Sequence, residues 1–396
     1  MQLGEALHRL ASPAGRQDPY PAYAALRAHG PVVQLWPGGY AATGYDAIKA
    51  LLREPRLAAR GLPGGAAAGL IADSVLKADG PDHARIRRLT ANAFSPRGSE
   101  RLEETVTAHA TALADRLAGL GRDGEPVDLM AEFAYPLTIR IIGSLLGVPA
   151  DEHRRLRELA QRTTVVLEPL RPAGPAPEAD RAARELEAYI GELIRLRRAA
   201  PEPDLITALV RAHDGDDAEL SARELVANLV FLLLAGFESS ANLLGNGLAA
   251  LLDHPDLADR LRAEPGLADR YVEEVTRFDA PLQLTSRWAP ETIEIDGLGT
   301  IARGSQLLIL LGAGNHDPAR FPVPDRFDPF RDAAPALSFG AGAHYCLGAA
   351  LARLEARVAL PLLLDRLPAM RRAGTATRRD RLTFRGWDNL PVTTGS

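Results

Sequence analysis

The sequence predicts a mainly α-helical fold: a helix-rich single domain over residues 1–396 with small peripheral β-sheets. Three observations predict it. Residues from His83 to about Ala200 read as helix, broken at Asp123-Gly124 and at Gly147-Val148-Pro149. A second helical stretch opens at Ser221 and meets no proline until Pro255. The strand-like runs are short, and they gather near the two ends of the chain.

The elements follow in order. Pro31–Trp36, the turn residues Pro37, Gly38 and Gly39, and then Tyr40–Thr43 form a hairpin pattern. Gly61–Gly69 is rich in Gly, Pro and Ala and reads as a loop. The stretch Glu168–Glu178 carries Pro169, Pro172, Pro175 and Pro177 and reads as a lid or binding loop. Ser221, Ala222, Arg223 and Glu224 have capping-box spacing. The helix they start is about 30 residues long, or roughly 45 Å at 1.5 Å per residue. Leu229–Ala235 is apolar on every side, so this helix must run through the core. Another helix spans about Gly266–Asp279, and short strands turn at Gly297 and Gly304. The last strong helix starts after Cys346. Pro361 should kink or end it by clashing with the Arg357 carbonyl. Leu382–Phe384 and Leu390–Thr393 read as a closing hairpin.

Composition narrows the function. A net charge of −5 argues against nucleic-acid binding, which needs a basic surface. The most apolar run, Leu225–Gly236, is too short for the roughly 20 residues of a membrane span, and the first twenty residues contain no signal-length apolar stretch. A cytoplasmic enzyme with no membrane or nucleic-acid partner is expected. Cys346 is the single cysteine, which excludes an intramolecular disulfide and a Cys-x-x-Cys pair.

That cysteine lies in Phe339, Gly340, Ala341, Gly342, Ala343, His344, Tyr345, Cys346, Leu347, Gly348. It precedes an amphipathic helix whose positive end would favour a thiolate. Gly340 and Gly342 would let backbone approach a flat ligand closely. One thiolate holds neither zinc nor an iron–sulfur cluster alone, but it can hold a haem iron. Other readings stay open at this point: a buried core cysteine, or a zinc site that uses His344 and Cys346. A phosphate loop fails at Tyr345 and lacks the Lys-Ser/Thr pair.

The string resembles the haem-binding loop of the cytochrome P450 family, Phe-Gly-x-Gly-x-His-x-Cys-x-Gly, at every specified position. The resemblance implies that fold, with a buried haem b held by Cys346 as axial ligand. Glu274 and Arg277 resemble the family's Glu-x-x-Arg, a structural ion pair on the haem side that Arg331 completes. His83, Arg87, Arg287 and His344 match residues that hold the haem propionates. Ala235, Gly236, Phe237, Glu238, Ser239 and Ser240 resemble the segment that crosses the distal face. There Ala235 and Gly236 would make room for oxygen, while Glu238 and Ser239 would pass protons. Serine replaces threonine at both alcohol positions. By the same resemblance Phe231, Leu234, Ala235, Gln283 and Leu284 line the substrate pocket, and the loops Arg60–Ala78 and Thr163–Glu178 shape its entrance.

The activity so implied is O2-dependent monooxygenation, hydroxylating or epoxidising a small, largely apolar molecule, with secondary-metabolite tailoring as the setting. Electrons would come from a ferredoxin and its reductase, docking beside Arg85, Arg88 and Arg353. Two alternatives remain at this level: oxidative coupling or cyclisation on the same haem, and a non-catalytic haem sensor or carrier.

Overall fold

In the computed structural model, residues 1–59, 64–91, 93–121, 123–170, 176–215, 219–332 and 334–395 are described. Helices account for 59% of the protein, and they are organised around one of their number. This central helix, Ala222–Asp253, starts where the capping box is read: Glu224 N–H donates to Ser221 Oγ at 3.2 Å, and Ser221 N–H donates back to the Glu224 carboxylate at 2.8 Å. Between Leu225 and Leu251 nearly every side chain is buried. The helix is long and apolar enough to cross a membrane. However, 67% of its most apolar window is covered by protein, which marks it as a core helix. An asparagine inside such a helix needs partners. Asn228 has them, accepting the Val75 N–H at 2.8 Å and donating to the Glu224 carbonyl at 2.8 Å.

Two helices pack closely on the central one: Tyr135–Leu146, and the helix after the cysteine, Ala349–Arg366. Gly236 permits the first approach, since a Cβ there would sit 2.6 Å from Ile142. Pro361 does not end the cysteine helix, which continues to Arg366. Leu354, Leu360, Leu363 and Leu364 are buried on either side of the proline, and their packing holds the helix together across the lost hydrogen bond.

The principal sheet has four strands. Val32–Trp36 pairs antiparallel with Gly39–Ala42, as the hairpin pattern requires. Gly39–Ala42 runs parallel to Gln306–Ile309, and Thr285–Trp288 closes the sheet antiparallel to it. Ile293–Ile295 and Gly299–Ile301 form a small hairpin turning through Gly297 in the left-handed region. The expected C-terminal hairpin is not formed. Phe384 bridges to Leu282, Trp387–Asn389 pairs with Thr377–Arg378, and Pro391–Thr393 lies between Arg371–Arg372 and Val127–Asp128. The reason is side-chain chemistry: residues 379–385 are fastened by arginines and a glutamate to other parts of the molecule.

Smaller departures concern boundaries. A helix, Ala66–Ala72, already runs where the Gly61–Gly69 loop is read. The Glu168–Glu178 stretch ends in a helix from Pro177. Residues 60–63 and 171–175, parts of the two expected entrance loops, lie outside the described residues.

Candidate haem and oxygen site

Three segments converge on Cys346. The loop Phe339–Gly348 turns at Gly340 and Gly342, both with φ near +70°. Gly342 could not be replaced, because a Cβ would lie 2.6 Å from the Leu52 carbonyl oxygen. Cys346 N–H donates to the Phe339 carbonyl at 2.8 Å, which sets the cysteine just ahead of the helix. The residue is accessible yet densely surrounded by protein. Burial pushes its thiol up from the ordinary value, while the Gly348 backbone, Arg87 and Arg353 pull it down less strongly.

The basic residues read as propionate holders are brought together. His83 is buried on the helix Gly80–Ala91, with its ring 4.2 Å from that of His344. Its Nε2 is buried without a hydrogen-bond partner. Arg87 donates to the Tyr345 carbonyl at 2.7 Å. Arg287, on the strand Thr285–Trp288, is buried and donates to the neighbouring Ser286 carbonyl at 2.9 Å. Burial, and then Arg287, push His344 down to about 3, so its ring is neutral at pH 7. Lys77, which the sequence reading passed over, is 7% exposed in the same cluster, and burial and Arg287 push it down to about 8.

The Glu274–Arg277 pair lies on the helix Ala268–Phe278. Its two bonds are 2.8 Å long, and neither side chain is more than 3% exposed. Arg331 approaches the same carboxylate at 3.1 Å. Arg277 also donates to the carbonyls of Asn315, Pro324 and Arg326.

On the central helix, Phe231, Ala235 and Ser239 follow at four-residue intervals and form one stripe. Ala235 is exposed and the other two are half-buried, within a helix covered almost everywhere else. Ser239 Oγ donates to the Ala235 carbonyl at 3.0 Å. Glu238 is fully buried, 2.5 Å from Arg379; it accepts the Thr164 hydroxyl at 2.9 Å, and Arg381 lies 3.7 Å away. Ser240 turns elsewhere, towards Glu355 on the cysteine helix.

The five expected pocket residues divide. Phe231 and Ala235 belong to the open stripe, whereas Leu234 is buried in the main core. Gln283 and Leu284 are both buried. The Gln283 amide donates to Ala280 O and the Tyr20 hydroxyl, and Leu284 packs with Leu10 and Tyr23. The three arginines expected to receive a redox partner carry counter-charges: Arg85 pairs with Glu224, Arg88 with Glu219 and Arg353 with Glu273. Arg379, Arg381, Thr164 and Glu168 were missed. The run Arg378-Arg379-Asp380-Arg381 was a visible signal, since so much charge beside a terminal strand needs partners.

The zinc reading falls, because no group of three or more His, Cys, Asp or Glu ligands occurs among the described residues. The family model for Cytochrome P450 matches residues 15–369. The chain belongs to the cytochrome P450 family. It is 38% identical over 405 residues to the vitamin D(3) 25-hydroxylase of Pseudonocardia autotrophica, covering 99% of this chain and 98% of that one. It is also 38% identical over 396 residues to the 6-deoxyerythronolide B hydroxylase of Saccharopolyspora erythraea, covering 95% and 96%. The crystal structure of P450BioI in complex with hexadec-9Z-enoic acid ligated acyl carrier protein superposes with a TM-score of 0.89 at 34% identity, covering 96% of this chain and all of that one. The protein is thus a P450 monooxygenase, and the family implies a haem. The residues present fit that group. A single thiol sits at the head of a helix, and a cluster of basic side chains stands ready for carboxylates, with the buried His83 Nε2 still to be partnered.

Proposed function

We propose that this P450 hydroxylates or epoxidises a largely apolar small molecule, drawing electrons from a ferredoxin and its reductase, as a cytoplasmic tailoring enzyme of secondary metabolism. One catalytic domain carries all of it. The observation that carries the reading is the stripe Phe231–Ala235–Ser239, the one face left open along the middle of a buried helix, with a buried acid next to it. Haem b, ligated by Cys346, would supply the oxygen and one-electron chemistry.

The chain's own residues do the rest. His83, Arg87, Arg287 and His344 would hold the propionates, and Glu274, Arg277 and Arg331 brace the loop that presents Cys346. Phe231 and Ala235 offer an apolar surface to substrate. Ser239 holds a hydroxyl on the open stripe, and Glu238 stands behind it. Arg379, which holds Glu238, also lies 3.6 Å from Asp388, a residue 62% exposed. A line of charged groups therefore runs from solvent to Glu238, and it supports proton movement along that line. The names of the relatives, a vitamin D(3) hydroxylase and a 6-deoxyerythronolide B hydroxylase, support a bulky apolar substrate.

The test is a ligand screen on the haem-loaded protein, read by the low-to-high-spin shift. Turnover of each hit with a surrogate ferredoxin, its reductase and NADPH then follows. An oxygenated product formed with stoichiometric NADPH use is expected. Coupled or cyclised product without added oxygen, or binding without turnover of any hit, would overturn the reading.

A further inference from the structure

Lys49 and Lys77 are the only lysines in a chain that otherwise uses arginine for positive charge. Lys49 lies on a surface helix, whereas Lys77 is buried. An ammonium is costly to bury unless an anion meets it. Lys77 occupies a turn between the helices Ala66–Ala72 and Gly80–Ala91, and that turn is fixed at both ends. The Ser74 carbonyl accepts the Lys77 N–H at 3.0 Å, and Asn228 of the central helix holds the neighbouring Val75 N–H. The side chain is therefore placed by structure, not left free on a loop.

Its surroundings are cationic. The charges that act on Lys77 are those of Arg287 and Asp79, and Lys77 in turn acts on His344. Arg87 and His83 complete the group. Among the described residues Asp79 is the one carboxylate in it, and Asp79 also accepts the Ala59 N–H at 2.9 Å. No carboxylate lies within ion-pair distance of Lys77, Arg87 or Arg287 among the described residues. Among the described residues Lys77, Arg87 and Arg287 thus stand without an ion-pair partner, and the two carboxylates of a haem's propionates would meet them.

We infer that Lys77 is a further haem-propionate ligand, a third fixed cation that completes the anion site built by His83, Arg87, Arg287 and His344. This rests on the haem reading of the site. The same burial that depresses the lysine would be reversed by a bound carboxylate, so its charge is secured by the cofactor it holds. A cation at a propionate also favours the reduced, less positive iron, so Lys77 raises the reduction potential.

The experiment compares purified haem-loaded wild type, Lys77→Met and Lys77→Arg. Methionine keeps the length and removes the charge; arginine keeps the charge. Haem transfer to apomyoglobin is followed at the Soret band, and the reduction potential is measured by spectroelectrochemistry. Lys77→Met is expected to release haem about tenfold faster, the equivalent of about 1.4 kcal/mol, and to have a more negative potential. Lys77→Arg should restore both. All three should keep the carbon monoxide band of a thiolate-bound haem, since Cys346 is untouched. If wild type lacks that band, the haem-thiolate reading itself fails. If the band is present and Lys77→Met equals wild type in both haem release and potential, Lys77 is not a propionate ligand. A variant that loses only its spin shift with myristate, at unchanged haem release, would assign the ammonium to a substrate carboxylate and likewise overturn the proposal.

Discussion

Glu238 is a carboxylate inside an apolar helix, and Arg379, Thr164 and Arg381 are what make that position tolerable. Glu238→Ala leaves Arg379 buried without its main partner, a change that costs about 3–5 kcal/mol in comparable pairs. Denaturant unfolding of the haem-loaded variant should show a loss of that size, and an unchanged midpoint would contradict the pairing. Ser239→Ala removes a hydroxyl from the open stripe at little change in volume. Substrate spin shift should persist while peroxide rises and product per NADPH falls; a variant as well coupled as wild type would remove this hydroxyl from the proton path. Glu355 supplies a pH signature. Burial pushes it up from an ordinary 4.5 to about 8, against a smaller pull from Ser240. The folded protein then holds that proton more tightly than the unfolded chain. Its stabilising contribution is present below about pH 4.5 and is lost as the pH rises towards 8. The Tm of wild type should fall between pH 5 and 8 by more than that of Glu355→Gln, and parallel curves would contradict it. At this scale legibility followed locality. Cys346 and its glycines form a contiguous string whose chemistry is readable in place. Lys77 and Arg379 are ordinary surface residue types, and only tertiary packing buries them.

Among the elements, the central helix was the most legible, because its cap, its length and its all-round apolarity all point the same way. Ser221→Ala should cost about 1 kcal/mol in denaturant unfolding, the usual worth of an N-cap; no change would mean that the Arg85–Glu224 bond, rather than the cap, fixes this end. The cysteine helix shows the opposite case. Its proline is a strong local signal to stop, and burial of leucines on both sides overrides it. The C-terminal residues show a third. Their strand propensity is real, but Arg381 bonds to Gln161 and Thr164, and Glu168 takes the N–H groups of Leu382 and Thr383. These side-chain ties redirect the backbone before a hairpin can close. None of them can be read from a pattern of apolar residues.

At the scale of the molecule, the central helix and the helix after Cys346 pack together although the sequence separates them by about a hundred residues, and Ser240 of the one meets Glu355 of the other. The Glu274–Arg277–Arg331 network ties the helix Ala268–Phe278 to Asn315, Pro324, Arg326 and Asp328. The most direct test of a thiolate-ligated haem at Cys346 is the carbon monoxide difference spectrum of the reduced protein, wild type against Cys346→Ser. Wild type should give the red-shifted Soret band of a thiolate-bound haem, and Cys346→Ser should lose it. Retention of that band without the cysteine, or its absence from haem-loaded wild type, would contradict the assignment.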